Sequence, residues 1–509
     1  MTQEHQQEAD DVSRWAGTDP NGIALRHKSK GIWLETSWST LDRRASAVSR
    51  GLASLGVGPG STVAILAENS AEWVIADLAI RRAGAVILAL PTRAATEQIG
   101  AWLGERGVSV AFCGDQEHLD KLSGSAVTAI LFDSTGIGAL ERTGAVPLDE
   151  LEQAGGAALD SPAGFPSGPV AAVEPVERGL AEIPAESTAT AVRLAVEALG
   201  LGRDDRVAAI APFSDATTRS VDLYASLRSG AQLYFPETLT SVPDDLREIR
   251  PTVLTGPRRL FQLILHESRI EQRQTGSIRR RLIRWGLRRA PASRLTPRSV
   301  IITRPIAARH GLSGVSRAMV TGDERLPAEA AAFLAALRIE VLHGRGGAEL
   351  GGLAEVRGTA VEKPGPEGGS SAWASQFELD GSVSSIEASL RDAPCVRSAV
   401  VEETGSGLSA IIELDLDTTV LWATDHEVDF GTRASLCTNP AVRSMIEAEI
   451  VRVNSSLAER RILDYAVAPR SFGISDGLLS PTLVLRRERV LDEFRPLLQP
   501  VGRDRVASA

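Results

Sequence analysis

The sequence predicts a large layered α/β domain followed by a small α+β domain, and three observations carry that prediction. The chain has 509 residues, too many for one hydrophobic core, so two or more domains are expected. Strand-length apolar runs alternate with helical periodicity through the longer N-terminal part, the pattern of a layered α/β fold. A stretch rich in Gly, Pro and Ser, GTAVEKPGPEGGSSAWAS at 358–375, then breaks the alternation, as a linker or mobile loop does. The domains are accordingly drawn as 1–357 and 376–509, with 358–375 as the linker.

The alternation is clearest in STVAILAENSAEWVIADLAIRRAGAVILALPT, from Ser61 to Thr92. Val63 to Leu66 suits a buried strand, and Asn69 or Ser70 can cap a helix whose apolar face holds Trp73, Val74, Leu78 and Ile80. Gly84 can end that helix, and Ala85 to Leu90 reads as the next strand, completing a βαβ unit. Further strands are expected at Ser109–Cys113, Thr128–Phe132, Val207–Ala211 and Gln232–Phe235, with a helix over Ala189–Leu199. The small domain reads as a helix over Ser385–Pro394, strands at Val396–Glu402 and Leu408–Leu414, and a long helix over Ala441–Leu457. No internal repeat of useful period is present.

Composition bounds the function classes. With 43% hydrophobic and 24% charged residues the chain is neither disordered nor fibrous. A net charge of −10 argues against nucleic acid as a partner, which would call for net positive charge. The start, MTQEHQQEADD, is acidic and polar, without the basic and apolar regions of a secretory signal. No run reaches the roughly 20 apolar residues that a spanning helix needs, so a cytoplasmic location is expected. Cys113, Cys395 and Cys437 are far apart and odd in number, which reads as reduced, buried small hydrophobes rather than a disulfide framework or zinc cluster. Trp33, Trp38, Trp73 and Trp422 are expected to fill cores. Lysine is scarce: Lys28, Lys30, Lys121 and Lys363 are the whole set, and arginine does not replace the compact, rotatable lysine ammonium at a phosphate.

Several blocks, taken in order, resemble the AMP-forming acyl-CoA synthetases of the adenylate-forming superfamily, in their long-chain fatty acid–CoA ligase type. They run from Gly31 to Thr92, through LGRDDRVAAIAPFS (201–214), DLREIRPTVLTGPRRLF (245–261) and VTGDERLPAEAAAFLAALRIEVLHGRGGAEL (320–350). SSIEASLRDAPCVRSAVV, NPAVRSMIEAEIVRVNSSLAERRILDYAVAP and GLLSPTLVLRR then resemble the family's small lid domain. The resemblance implies an N-terminal domain for nucleotide and acyl group and a C-terminal domain that rotates over them. It also implies a reaction in which an acid and ATP form an acyl-adenylate whose acyl group passes to coenzyme A. Such chemistry needs a loop of backbone donors for phosphates, a carboxylate for Mg²⁺ and cations for the charge developing at phosphorus.

Measured against those parts, the chain departs from the family. The phosphate loop, approximately YTSGTTGxPKG in relatives, should precede the helix at Ala189, but VEPVERGLAEIPAESTATAV (173–192) has neither consecutive glycines nor a lysine. SPAGFPSGP (161–169) is a poor substitute, because Pro162, Pro166 and Pro169 remove N–H donors. The family's GYGxTE maps to GRGGAE, with Gly344, Arg345, Gly346 and Glu349; Arg345 can stack on a base, and Glu349 is a vestigial Mg²⁺ carboxylate. A glycine-rich turn with solvated charges is the plainer reading, with His343 as a loop histidine. Thr321, Gly322 and Asp323 of TGDERLP resemble the turn that lines the acyl-adenylate in relatives, and a purely structural turn fits them equally. The acidic ribose ligand and the cationic hinge expected between Glu349 and Ile386 are absent.

LSPTLVLRR at 479–487 carries Val484 where relatives, with a pattern like LTPTLKxxR, place the lysine needed for adenylation. No lysine follows Lys363, and on an extended strand Arg486 shares the face of Val484 but lies ~6 to 7 Å further along, with Arg487 opposite. Losing one transition-state donor costs about 3 to 4 kcal/mol; losing loop, lysine and hinge together could exceed ~8 kcal/mol, though such losses do not add simply. The leading expectation is thus a degenerate homologue unable to adenylate, binding long-chain acyl-CoA or fatty acid, or a protein such as an active synthetase paralogue. The alternatives are an active ligase rebuilt on Arg345, Glu349 and Arg486, using ATP, Mg²⁺ and CoA, and a partner subunit with no small ligand. No metal site is assigned. QTGSIRRRLIRWGLRRAPASR (274–294) is a basic helix candidate, read as docked with a solvated basic side, or through 277–289 as a peripheral contact with anionic membrane.

Overall fold

The computed structural model describes residues 7–134, 144–157, 170–176, 179–237, 241–258, 260–261, 264–265, 268, 305–322, 326, 328–347, 352–358, 383–391, 393, 395–404, 407–426, 428–455, 457, 461–473, 476, 478, 485 and 487–500. The chain divides into two compact units, 1–324 with 329–363, and 325–328 with 364–509. The linker segment 358–375 lies outside the described residues except for Gly358. In chain order the strands of the first unit are β1 (Ile23–Ser29), β2 (Ile32–Ser37), β3 (Thr62–Leu66), β4 (Val86–Ala89), β5 (Val110–Cys113), β6 (Thr128–Leu131), β7 (Val146–Pro147), β8 (Val170–Val176), β9 (Gly179–Pro184), β10 (Arg206–Ala208), β11 (Gln232–Phe235), β12 (Val253–Pro257), β13 (Arg317–Thr321), β14 (Glu340–Gly347) and β15 (Gly352–Gly358). Those of the second are β16 (Val396–Thr404), β17 (Gly407–Leu414), β18 (Ile462–Val467) and β19 (Gln499–Pro500).

In the first unit a seven-stranded sheet runs β7-β6-β5-β3-β4-β8-β9. Its pairs β3/β4, β3/β5 and β5/β6 are parallel, as crossover helices require. Both faces are buried: Val63, Ile65, Ile87 and Phe112 enter one core, and Ala64, Leu66, Leu88 and Cys113 another. Strands covered on both sides need continuous apolar runs such as VAIL, not alternation. An eight-stranded sheet, β15-β14-β13-β12-β10-β11-β1-β2, contributes Leu25, Val207, Leu233, Val253 and Met319 to the core that holds Val63.

The helix Ala71–Arg82 settles the choice of cap. Ser70 accepts from the Trp73 N–H at 3.1 Å, the N-cap bond expected of serine. Asn69 is used differently: it accepts from the Phe213 N–H at 2.8 Å and donates to the Ala211 carbonyl at 2.7 Å. This side chain fastens the loop after β3 to the segment after β10.

The second unit has a four-stranded sheet, β16-β17-β18-β19. Its core includes Ile386 and Leu390 from the helix Val383–Arg391, Val401 and Ile412 from the sheet, and Ile446 and Ile450 from the helix Pro440–Ser455.

Several expectations need correction. His343 and the GRGG glycines lie in β14 rather than in a loop or turn, because β15 pairs along the whole run and β13 pairs with His343 and Gly344. The strand expected over Val207–Ala211 ends at Ala208, where the chain leaves the ladder for the Asn69 bonds. The helix expected from Ala189 begins at Ala185. Trp38 and Trp73 are buried, but Trp33 and Trp422 are only half-buried; the former packs edge-on to Tyr234 and the latter stacks on His426. Cys113, Cys395 and Cys437 are free and buried. No described helix is long and apolar enough to cross a membrane; the basic segment 277–289 lies outside the described residues.

Candidate functional site

Two of the segments singled out in the sequence meet at the ends of adjacent strands. Thr321 closes β13 opposite Gly344 of β14, and the Gly322 N–H donates to the Gly344 carbonyl at 3.0 Å. Gly322 takes φ +100 with open space where a Cβ would stand, so backbone conformation rather than crowding selects glycine there. Gly344 and Gly346 are selected by crowding. A Cβ on Gly344 would stand 2.8 Å from Leu353 and 2.9 Å from the Met319 sulfur, and one on Gly346 would stand 2.4 Å from the Gly352 carbonyl and 2.6 Å from Thr217 Oγ1. Arg345 is exposed between them, across from Glu355 of β15. Asp323, Glu349, Val484 and Arg486 lie outside the described residues, as does 161–169.

The β14–β15 hairpin rests on a helical segment that changes type along its length. Ala216–Thr218 is α-helical, Arg219–Tyr224 is a π turn and Ala225–Ser229 is α-helical again. Wider turns of this kind re-aim side chains and occur often at functional sites. Gly352 is held against Ser220, whose Oγ donates to the Ala216 carbonyl at 2.9 Å. Asp215 caps the segment by accepting from the Thr218 N–H at 2.7 Å.

This segment also meets β8, whose end, with β9, covers the start of the stretch 173–192 where the family resemblance leads one to expect a phosphate loop. Here that sequence is a hairpin: β8 and β9 are antiparallel and close with Val176 opposite Gly179. Pro175 is tolerated in β8 because pairing with β4 reaches only Ala172 and Val173, so its missing N–H costs no ladder bond there. Alternation sends Val173 into the outer core and Ala172 into the inner one, and therefore aims Glu174 inward. Glu174 accepts from the Ala216 backbone and stands 3.6 Å from the Arg219 guanidinium. Arg219 also donates to the Phe213 carbonyl at 2.6 Å. Further along the turn, Thr255 of β12 donates its hydroxyl proton to Asp222.

These groups have little access to water: Glu174 is 5%, Arg219 2% and Asp222 1% exposed. Burial pushes the Glu174 carboxyl up to about 8, with Arg219 opposing and Asp215 adding to the rise. Burial likewise pushes Asp222 up to about 7 against the Thr255 hydrogen bond. A polyphosphate entering here would face three carboxyl groups and one guanidinium already answered by Glu174 and a carbonyl. Among the described residues the hairpin offers no loop of backbone donors, and no cluster of His, Cys, Asp or Glu could hold a metal. ATP with Mg²⁺ does not fit this stretch. Sequence reading treats 173–192 as a lost loop and gives Glu174, Arg219, Asp222 and Thr255 no role. The signal available was one carboxylate inside the apolar run VAAVEPV.

In the second unit, Arg487 opens the helix Arg487–Phe494 instead of lying on a strand. Its guanidinium pairs with Glu387 at 2.5 Å and donates to the Val401 carbonyl. Glu387 in turn accepts from the Val401 N–H at 2.7 Å. Together the two side chains take up the outward N–H and C=O of Val401 on the free edge of β16, so Arg487 is committed to the fold of its own unit.

Comparison with known proteins places this arrangement. The family model described as AMP-binding enzyme matches residues 12–171 and 183–403. This chain belongs to the AMP-binding enzyme family. Among curated proteins it is 30% identical over 237 residues to 3-[(3aS,4S,7aS)-7a-methyl-1,5-dioxo-octahydro-1H-inden-4-yl]propanoyl:CoA ligase of Mycobacterium tuberculosis, covering 42% of this chain and 45% of that protein. It is 36% identical over 100 residues to the nonribosomal peptide synthetase sirP of Leptosphaeria maculans, covering 20% of this chain and 4% of that one. It thus spans less than half the length of both relatives. The fold is that of adenylation domains. The structure of the adenylation domain of a carboxylate reductase from Mycobacterium chelonae superposes with TM-score 0.67 at 17% identity, covering 97% of this chain and 94% of that one. A benzoate CoA ligase from Burkholderia xenovorans superposes with TM-score 0.64 at 16% identity, covering 95% and 99%.

Proposed function

We propose that this AMP-binding-family protein does not adenylate, and acts as a pseudoenzyme that binds an acyl-CoA or a protein partner such as an active synthetase. The observation that carries this reading is the β8–β9 hairpin, closed at Val176 and Gly179, in place of a phosphate loop. Glu174 supports it by setting a buried carboxyl group against the one buried arginine of that stretch. Val484, at the position of the adenylating lysine, and the absence of any later lysine point the same way. The relative named as a substituted propanoyl:CoA ligase favours a CoA thioester as the small ligand, and the sequence blocks favour a long acyl chain.

Thermal melts of the purified chain with Mg·ATP and, separately, with long-chain acyl-CoA test the reading. A ligand at ~100 times its Kd adds about 2.7 kcal/mol, enough to raise a midpoint by a degree or more. A shift with acyl-CoA alone is expected, and a shift with Mg·ATP would overturn the proposal. No shift with either would favour a partner subunit with no small ligand. An active ligase rebuilt on Arg345, Glu349 and Arg486 is the second reading, favoured by the exposure of Arg345 at the strand ends beside Thr321 and Gly322.

A further inference from the structure

Strand β2 ends the eight-stranded sheet, and among the described residues no strand pairs with its outer edge. Its turn to β1 places Lys30 and Gly31 at φ 51 and 76, and Ser29 and Ile32 close it. Two left-handed residues in a two-residue connection make a type I′ turn, whose closing pair exchanges both backbone hydrogen bonds. The N–H and C=O groups of Ile32 and Leu34 therefore point at β1, and those of Trp33 and Glu35 point away from the sheet. The outer edge is a ready row of donors and acceptors.

The side chains suit pairing as well. Ile32 is 64% and Leu34 46% exposed, two neighbours on one face among the few large hydrophobics so exposed in the described residues. Trp33 turns to the other face, donating to Glu248 at 2.8 Å. The devices that blunt natural edges, an inserted lysine, a proline or a covering side chain, are missing from 32–36. The one charge there, Glu35, is answered by Arg26 at 2.6 Å. The contrast with β16, where Arg487 and Glu387 take up the outward groups of Val401, is within the same chain.

We propose that β2 pairs antiparallel with β2 of a second copy of this chain, about a two-fold axis at Trp33, joining two sheets into one. An axis normal to the sheet keeps every side chain on its own face, which a self-complementary seam requires. Centred on Trp33, it makes Trp33 a hydrogen-bonded pair with its counterpart and sets Ile32 opposite Leu34 of the second copy in both halves. Glu35 then faces Gly31, next to the exposed Lys30, so unlike charges are brought together. The Gly31 N–H is held by Glu237 at 3.2 Å, and its carbonyl is the group left to accept. Centring on Ile32 would set Leu34 against Lys30, and centring on Leu34 would set Ile32 against Thr36. One short strand buries less than the roughly 1,200 Å² of a stable complex, so the dimer is weak and reversible.

Sedimentation velocity of the full chain and two single-cysteine variants test the seam and its register. The chain should form a concentration-dependent dimer in the micromolar range, weakened by more than ~10-fold in Ile32→Lys/Leu34→Lys. In the proposed register Ile32 and the second copy's Leu34 form a non-hydrogen-bonded pair with Cα atoms ~4.5 Å apart, within disulfide reach. A mixture of Ile32→Cys and Leu34→Cys should cross-link on air oxidation, while either variant alone should not; the native thiols are buried. A chain that stays monomeric, a dimer indifferent to the lysine pair, or cross-linking of Leu34→Cys with itself would each overturn the proposal. Both positions are exposed, so unchanged circular dichroism of the variants is expected.

Discussion

Arg219 Nη2 lies 3.6 Å from Glu174 Oε2, with the two side chains 2% and 6% exposed. A guanidinium and a carboxyl group removed from water at that separation hold the π turn against β8.

The first consequence is a pH dependence of stability. Glu174 rises from an ordinary 4.5 to about 8 and Asp222 from 3.8 to about 7, both through burial. Between the unfolded and folded values the native state holds a proton that the unfolded chain releases, so stability falls as pH rises through that window. Each group contributes a slope of at most about 1.4 kcal/mol per pH unit. Urea unfolding from pH 5 to 9 should show the decline, and Glu174→Gln should make it shallower. Identical slopes in the two proteins would show Glu174 to be ionised throughout.

Restoring the lysine should not restore adenylation. Val484→Lys supplies a cation but leaves the β8–β9 hairpin and Glu174 in place. Substrate-dependent pyrophosphate exchange is expected to stay at background in this variant; a signal well above it would locate the defect in Val484 alone.

The glycines of the strand ends should respond differently to alanine. Gly346→Ala forces a Cβ onto the Gly352 carbonyl and Thr217, costing about 1 to 3 kcal/mol as overpacking. Gly322→Ala meets no atom but keeps φ +100, costing about 1 kcal/mol. Thr217→Ser retains the Oγ1 contact and should not rescue Gly346→Ala. Denaturant midpoints distinguish these cases.

Arg487 should matter for stability and not for ligands. Arg487→Ala removes a partly exposed ion pair and a bond to the Val401 carbonyl, about 1 kcal/mol. Glu387→Ala should cost more, because it strands the Val401 N–H as well as the guanidinium. Calorimetric binding of acyl-CoA unchanged by Arg487→Ala would agree with its structural placement.

The three thiols should be slow. Burial pushes Cys113 and Cys395 up to about 12 and raises Cys437, so little thiolate is present near neutrality. A thiol reagent should label the native chain far more slowly than the chain in denaturant, which should titrate all three. Rapid labelling of the native protein would contradict the burial of these residues.

Much of the fold could be read from residues whose pattern has one cause. VAIL at 63–66, QLYF at 232–235 and SAIIEL at 409–414 are apolar runs in strands, and Ser70 is a cap by chemistry. Legibility failed where partners distant in sequence decide the outcome. GRGG looks like a turn until β15 pairs along it and β13 pairs with its first glycine. VEPVERGLAEIP reads as a lost loop for want of consecutive glycines and a lysine, and that it is a hairpin, with Pro175 tolerated by the short overlap with β4, shows only in the pairing. Arg487 follows a strand-like run yet opens a helix, a choice made by Glu387 and Val401 more than 80 residues earlier. The buried polar row was invisible for the same reason: Glu174, Arg219 and Thr255 come from three separate segments.

The β8–β9 hairpin also limits what this chain can become. A single side chain such as Val484 can be exchanged within one codon, whereas a hairpin closed at Val176 and Gly179 can gain a loop only by insertion. Regaining a phosphate cradle would require inserted residues, and their arrival would unseat Glu174 from Arg219 before any nucleotide could compensate. Under the proposed non-adenylating reading, substitutions alone would not supply a phosphate cradle at this hairpin, and selection would act on what the scaffold binds.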